Sequence, residues 1–175
     1  MLQLQGQHIL ILGLGASGMA MARWCVRFGA RVVVADTRQA PPQLQALQRE
    51  LPWVHFSGGT LDASLVQGTA IRAVFVSPGL APDVTAPVLD AARANGLVVG
   101  GELSLFAQAL QDLQVDRGYA PQVLAITGTN GKTTVTALTG QLVARAGKTV
   151  QVAGNIGPCL LDTLAAALDL SLIHI

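Results

Sequence analysis

The chain has 175 residues, of which 51% are hydrophobic and 12% are charged, a composition that supplies a buried core and excludes a disordered chain. A net charge of +1, without a basic run and with only 4% aromatic residues, argues against a nucleic-acid partner. Charged, glycine, proline or glutamine residues interrupt every apolar stretch before the ~20 residues that a membrane span needs. No leader pattern opens the chain, so we expect a cytoplasmic protein without a membrane span.

The first hundred residues alternate apolar runs with helical stretches. The apolar runs that predict strands cover residues 8–12, 31–36, 73–76 and 97–99. The stretches that predict helices cover residues 19–28, 43–50 and 87–95. Strands that alternate with helices in this way indicate an α/β fold with a parallel sheet. Residues 1–100 are therefore predicted to form a Rossmann-like, doubly wound domain.

A glycine-rich turn follows the first predicted strand. Gly13, Gly15 and Gly18 have the G-x-G-x-x-G spacing of a dinucleotide fingerprint, and Asp36 ends the next strand about 20 residues later. Taken alone, this pattern predicts NAD. The same turn accommodates any nucleotide diphosphate, and it also occurs as a tight turn without a ligand.

Two further segments argue against NAD. Thr37 and Arg38 follow the acidic residue and place a hydroxyl and a bidentate donor where a ribose or phosphate would lie. Ser77, Pro78 and Gly79 end a later strand, which places them at the same carboxyl edge of the predicted sheet. A second nucleotide motif downstream is also more than a dehydrogenase requires.

The second part of the chain begins a new α/β pattern. An amphipathic helix over residues 102–113 and a polar stretch form a linker over 101–120, before predicted strands over 122–126 and 149–152 and a helix over 135–146. Two strands and one helix cannot bury both faces of a parallel sheet. We therefore expect residues 121–175 to be the truncated start of a P-loop ATPase-like domain.

A lysine-containing loop lies between that strand and that helix. Its residues are Gly128, Thr129, Asn130, Gly131, Lys132, Thr133 and Thr134. Backbone N–H groups at such a helix start bind phosphate, the lysine adds a charge for the β- and γ-phosphates, and the first threonine is placed for Mg²⁺. Ile126 stands where the full P-loop has its first glycine, so the match is to a shorter variant. The alternative is a capped helix start with a solvated lysine.

Six motifs occur together in an order that resembles the Mur ligases. They are Gly13-Leu14-Gly15-Ala16-Ser17-Gly18, Asp36-Thr37-Arg38, Ser77-Pro78-Gly79, Gly101-Glu102-Leu103, Thr127 to Thr134 and Gly154-Asn155-Ile156-Gly157. The combination is most similar to the family member that adds D-glutamate to UDP-N-acetylmuramoyl-L-alanine. Another member, such as the L-alanine-adding one, and a non-catalytic nucleotide- or NAD-binding module stay open as alternatives.

The resemblance implies roles for individual residues. The UDP-sugar site would be lined by Ala16, Ser17, Asp36, Thr37, Arg38, Ser77 and Gly79, and the lysine loop would bind ATP with Thr133 on Mg²⁺. Lys132 and Asn155 are the implied catalytic residues. The implied chemistry is phosphoryl transfer from ATP to the substrate carboxylate, followed by attack of the D-glutamate amine on the acyl phosphate.

The family has three domains and is expected to act as a monomer in its full-length form. The remaining metal ligands and the third domain have no counterpart within these residues, so we expect no ligase activity from this polypeptide by itself. The two cysteines, Cys25 and Cys159, lack metal-ligand spacing and are predicted to be small buried residues.

Overall fold

The computed structural model describes residues 4–154 and 157–172, with side chains described up to residue 169. Its centre is a five-stranded parallel sheet in the order β3-β2-β1-β4-β5. The strands are β1 (His8–Leu12), β2 (Arg31–Asp36), β3 (His55–Gly58), β4 (Ile71–Val76) and β5 (Val98–Gly101). Four helices accompany the sheet: α1 (Ala16–Arg27), α2 (Leu44–Glu50), α3 (Pro82–Ala94) and α4 (Glu102–Arg117). The predicted Rossmann-like, doubly wound fold is confirmed.

Alternate residues of β1 enter two separate apolar cores, because successive side chains of a strand point to opposite faces. Ile9 and Ile11 lie in the core that contains α1 and α4. Leu10 and Leu12 lie in the core that contains α3. Both faces of the central strand are thus covered, as a parallel sheet requires.

The edge strand β3 and the start of α3 are two of the differences from the sequence-based prediction. The edge strand β3 was not predicted, since its four residues include a glycine and are all at least partly exposed. Helix α3 begins at Pro82 rather than at Pro87. Proline fits the first turn of a helix, whose N–H groups have no partner within the helix, so Pro82 starts α3 without loss.

The glycine turn brings α1 into direct contact with the end of β1. A Cβ atom added to Gly18 would lie 1.9 Å from the carbonyl oxygen of Gly13, well inside any real contact distance. Gly13 itself has a φ of +89°, in the left-handed region that favours glycine. The spacing of these two glycines therefore sets how closely the helix approaches the strand.

The substitution Gly18→Ala tests this contact. Helix propensity alone predicts a gain of about 1 kcal/mol for alanine in a helix. The clash with the carbonyl of Gly13 predicts the opposite sign, a loss of about 3 kcal/mol or more, because backbone must move. Urea unfolding followed by circular dichroism measures the difference. Gly79→Ala is the control, since its added Cβ meets nothing within 4 Å. A Gly18→Ala protein as stable as the parent would contradict the close approach.

After α4, the residues that the structure describes form α5 (Lys132–Arg145) and α6 (Leu160–Leu172) and no strand. The predicted strands over residues 122–126 and 149–152 are wrong in this structure. A strand is held by hydrogen bonds to a neighbouring strand, and neither segment pairs with the other or with the sheet. The large exposed apolar side chains here are Val123, Leu124, Val135, Leu138, Leu142 and Val152.

Helix α6 returns to the first domain. Leu161, Leu164 and Leu168 are buried in the core that also contains α1 and α4. At the rim, Arg27 of α1 makes two hydrogen bonds of 2.7 and 3.2 Å to the carboxylate of Asp169. The described part of α6 thus packs against the layer of helices over the sheet. Among the described residues, we find no helix with the length and apolar composition required to cross a membrane.

Candidate functional site

A cavity of about 360 Å³ opens at the carboxyl ends of β1, β2 and β4. The strand order reverses between β1 and β4, and ligands of doubly wound folds bind at such a switch point. The lining residues come from the three loops that follow these strands: Gly13, Gly15, Thr37, Arg38, Ser77, Gly79 and Leu80. Thr37, Arg38, Ser77 and Gly79 were predicted site residues, whereas Leu80 was missed because an apolar residue after a turn carries no chemical signal.

Backbone hydrogen bonds hold these loops together. The Gly13 N–H donates to the carbonyl of Ala35 at 2.7 Å, and the Ser77 N–H donates to the carbonyl of Leu12 at 2.8 Å. Helix α1 begins after Gly15, and no side chain caps it. The N–H groups of a first helical turn lack partners within the helix and carry partial positive charge. The edge of the cavity at Gly15 therefore suits an anion such as a diphosphate.

Asp36 is completely buried at the end of β2 and is fully occupied by protein donors. Its carboxylate accepts the Leu14 N–H at 2.7 Å and the Arg38 N–H at 2.9 Å. The Arg38 guanidinium adds two bonds, from Nε at 2.8 Å and from a terminal nitrogen at 2.7 Å. Burial alone would raise the pKa of Asp36, but the bonds from Arg38 and Leu14 outweigh it and the pKa is lowered.

Three predicted site residues lie beside the cavity rather than in its lining. Both carboxylate oxygens of Asp36 already accept hydrogen bonds from Arg38 or Leu14. Asp36 therefore affects the cavity by holding these two residues in place. Ala16 and Ser17 form the first turn of α1, where Ala16 is exposed and Ser17 is buried. A substrate that reaches the start of α1 would meet their backbone. Their predicted role in binding stays a prediction.

The lysine loop lies at the start of α5. Gly128 and Gly131 have φ values of +152° and +75°, which explains the glycines at these positions. The Lys132 ammonium donates to the carbonyl oxygen of Gly128 and, at 3.2 Å, to that of Thr129. The predicted ATP-binding residues are all exposed: Gly128, Thr129, Asn130, Gly131, Lys132, Thr133 and Thr134. The loop thus carries a helix start, a cation and hydroxyl groups within seven consecutive exposed residues.

The other predicted residues have different positions. Asn155 lies outside the described residues. Cys25 and Cys159 are both free and buried, as predicted. Burial raises the pKa of Cys25 to about 12, and burial together with the charge of Glu102 raises the pKa of Cys159. Within residues 4–154 and 157–172, no group of three or more His, Cys, Asp or Glu side chains could hold a metal ion.

The lowered pKa of Asp36 gives a prediction about stability and pH. Because the folded-state pKa lies below the unfolded one, the stabilisation is present above the unfolded pKa of about 3.9. It disappears as the pH falls through the folded-state pKa. We expect Asp36→Asn to lose about 2 kcal/mol of unfolding free energy at neutral pH, and the deficit to shrink between about pH 5 and pH 2.

Urea unfolding of both proteins over that pH range checks the expectation. Asp90→Asn is a matched control, since Asp90 is also paired with a nearby arginine but is 73% exposed. An exposed pair of this kind contributes only about 0.5 kcal/mol. A deficit of Asp36→Asn that stays constant with pH would show that the loss comes from packing, not from the charge.

Comparison with known proteins identifies relatives for both parts of the chain. Residues 7–101 match the family described as Mur ligase MurD-like, N-terminal domain, and residues 126–172 match the Mur ligase middle domain. A protein of Albidiferax ferrireducens, named UDP-N-acetylmuramoylalanine–D-glutamate ligase, is 68% identical over 92% of this chain and 32% of its own length. A protein of the same name from a Polaromonas species is 47% identical over 97% of this chain and 43% of its own length.

Among solved structures, a ligase from Neisseria meningitides superimposes with a TM-score of 0.47 and 22% identity. It is named UDP-N-acetylmuramate:L-alanyl-gamma-D-glutamyl-meso-diaminopimelate ligase, and the match covers 81% of this chain and 40% of that one. The chain spans 32% and 43% of the lengths of these two curated relatives.

Proposed function

The chain belongs to the Mur ligases, and on that premise we propose that it supplies the substrate-binding and ATP-binding parts of a ligase that joins D-glutamate to UDP-N-acetylmuramoyl-L-alanine in peptidoglycan synthesis. The two relatives described above both carry the name of that ligase. The names of these relatives therefore favour a D-glutamate-adding ligase over an L-alanine-adding one.

The observation that carries the proposal is the meeting of three predicted motifs at one cavity. The glycine turn, Thr37 with Arg38, and Ser77 with Gly79 are far apart in sequence but line the same space. The start of α1 suits the diphosphate. The Arg38 guanidinium is held by Asp36 through its Nε and one terminal nitrogen, and a held guanidinium plane is suited to stack on a flat ring such as uracil.

The lysine loop fits the triphosphate of ATP. Its glycines allow the backbone to approach an anion, and Lys132 would neutralise charge on the β- and γ-phosphates. Among the hydrogen bonds of the described residues, Lys132 donates to carbonyl oxygens of its own loop and to no carboxylate. The exposed Thr133 hydroxyl would hold Mg²⁺ together with the phosphate oxygens.

These two sites divide the proposed chemistry. The first domain would hold the UDP-sugar so that its alanine carboxylate faces the γ-phosphate of ATP. The γ-phosphoryl group of ATP is then transferred to that carboxylate, and ADP leaves. The D-glutamate amine attacks the carbonyl carbon of the acyl phosphate, so that an amide forms while phosphate and a proton are released. Within this chain, Lys132 would stabilise the charge on the transferred phosphoryl group, because a fixed cation strengthens its interaction as charge develops.

The first test is titration of the chain with UDP-N-acetylmuramoyl-L-alanine and, separately, with NAD. We expect Arg38→Ala to weaken binding of the UDP-sugar at least tenfold, on the order of 1.4 kcal/mol or more, because a charged group in contact with the ligand is lost. Calorimetry measures the dissociation constants. Arg49→Ala is the control, an equally charge-removing change at an arginine 74% exposed on α2.

Binding of NAD without any response to the UDP-sugar would reject the proposed substrate. Equal losses of affinity in Arg38→Ala and Arg49→Ala would show a general effect of charge and would count against a built site. Loss in Arg38→Ala alone supports the cavity as the binding site.

The second test concerns the lysine loop. We expect Lys132→Ala to weaken binding of Mg²⁺-ATP about a hundredfold, since a charge-assisted contact to phosphate contributes up to about 3 kcal/mol. Lys148→Ala removes the only other lysine of the chain and leaves the loop unchanged, so it is a matched control. Fluorescence titration with a labelled ATP analogue checks both variants. Unchanged affinity in Lys132→Ala would remove the loop from the ATP site.

A further inference from the structure

Glu102, the first residue of α4, makes a long-range contact that the proposed chemistry does not use. Its side chain is buried, with 8% of its surface exposed. The carboxylate accepts the backbone N–H of Leu161 at 3.1 Å, across 59 residues of sequence. Leu161 is the second residue of α6. An acidic side chain from one helix thus accepts a donor from the first turn of another.

The chemistry of this contact is that of a helix cap. The first N–H groups of α6 have no partners within the helix, and the helix dipole places partial positive charge there. A carboxylate is the side chain that best satisfies both. Burial of Glu102 without that donor would carry a desolvation cost. The hydrogen bond between Glu102 and Leu161 therefore stabilises both the buried position of the carboxylate and the position of the first turn of α6.

The start of α6 also lies beside the glycine turn. Cys159 directly precedes α6, and its Sγ atom is 4.0 Å from Oγ of Ser17 in the first turn of α1. Further along α6, Asp162 accepts a hydrogen bond of 3.1 Å from Arg23 of α1. The residues at the beginning of α6 thus contact the helix whose start forms one edge of the cavity.

From this arrangement we infer that Glu102 is a positioning residue: it holds the first turn of α6 in place and so keeps Cys159 packed against Ser17, which supports the glycine turn in the shape that binds the substrate diphosphate. This inference rests on the proposed function for the identity of the ligand. It assigns a role to the Gly101-Glu102-Leu103 motif, whose residues are not among those that line the cavity.

The test compares Glu102→Ala and Glu102→Gln in the full chain. Glutamine keeps an oxygen that can accept the Leu161 N–H, whereas alanine removes the acceptor. We expect Glu102→Ala to speed amide hydrogen exchange about fivefold to tenfold both in residues 160–168 and in residues 14–19. Glu102→Gln should stay within about twofold of the parent. Asp112→Ala is the matched control on α4, since Asp112 accepts only from Gln108 within the same helix among the hydrogen bonds of the described residues.

Titration with UDP-N-acetylmuramoyl-L-alanine adds the functional readout. We expect a dissociation constant about fivefold higher in Glu102→Ala and nearly unchanged in Glu102→Gln, because only the fraction of molecules with the turn in place binds. Faster exchange in residues 160–168 alone, with residues 14–19 unchanged, would overturn the inference and leave Glu102 as a local cap. Equal effects of Glu102→Gln and Glu102→Ala would overturn it as well.

The proposed function and this inference fail in different ways. If the parent chain does not bind the UDP-sugar, the proposed substrate is wrong, while exchange at the glycine turn still decides whether Glu102 supports it. If the parent binds the UDP-sugar and Glu102→Ala binds it equally well, the substrate stands and the positioning role does not.

Discussion

The buried carboxylate of Asp36 is the interaction on which the first site depends. It ties the end of β2 to the glycine turn through Leu14 and to the following loop through Arg38. A buried charge is costly unless donors surround it, so the folded state favours the conformations of Leu14 and Arg38 that keep these hydrogen bonds. The Asp36 carboxylate thereby fixes the positions of two of the loops that line the cavity. Arg38 remains half-exposed and is one of the residues that line the cavity.

The two halves of the chain are stabilised differently. The sheet of the first domain buries both of its faces against helices. Helix α6 adds its apolar side to the core that contains α1 and α4. In contrast, the described part of the segment with α5 exposes Leu138 and Leu142 and pairs with no strand. The lysine loop is therefore held by local turns and by the start of one helix. Local unfolding of such a region is expected to require less free energy than unfolding of the sheet.

Most of the first domain could be predicted from sequence because its strands are continuous apolar runs that end at recognisable turns. The bounds of β1 and β2 agree with the prediction, whereas the short edge strand β3 has no such pattern. The lining of the cavity by Thr37, Arg38, Ser77 and Gly79 also followed from strand ends that share one edge of the sheet. The engagement of Asp36 by Arg38 and the contact between Glu102 and Leu161 could not be predicted, since both depend on three-dimensional packing rather than on local pattern.

The return of α6 to the first domain has a consequence for the lysine loop. The segment that carries the loop leaves the domain at the end of α4 and comes back at Cys159, so it is tethered at both ends. The distance that the lysine loop can move from the first domain is limited by the length of chain between those two points, as in any closed loop. A nucleotide held on the loop would then experience the substrate cavity at an effective concentration in the millimolar range. In the proposed reaction, tethering alone would thus favour the encounter of ATP with the UDP-sugar.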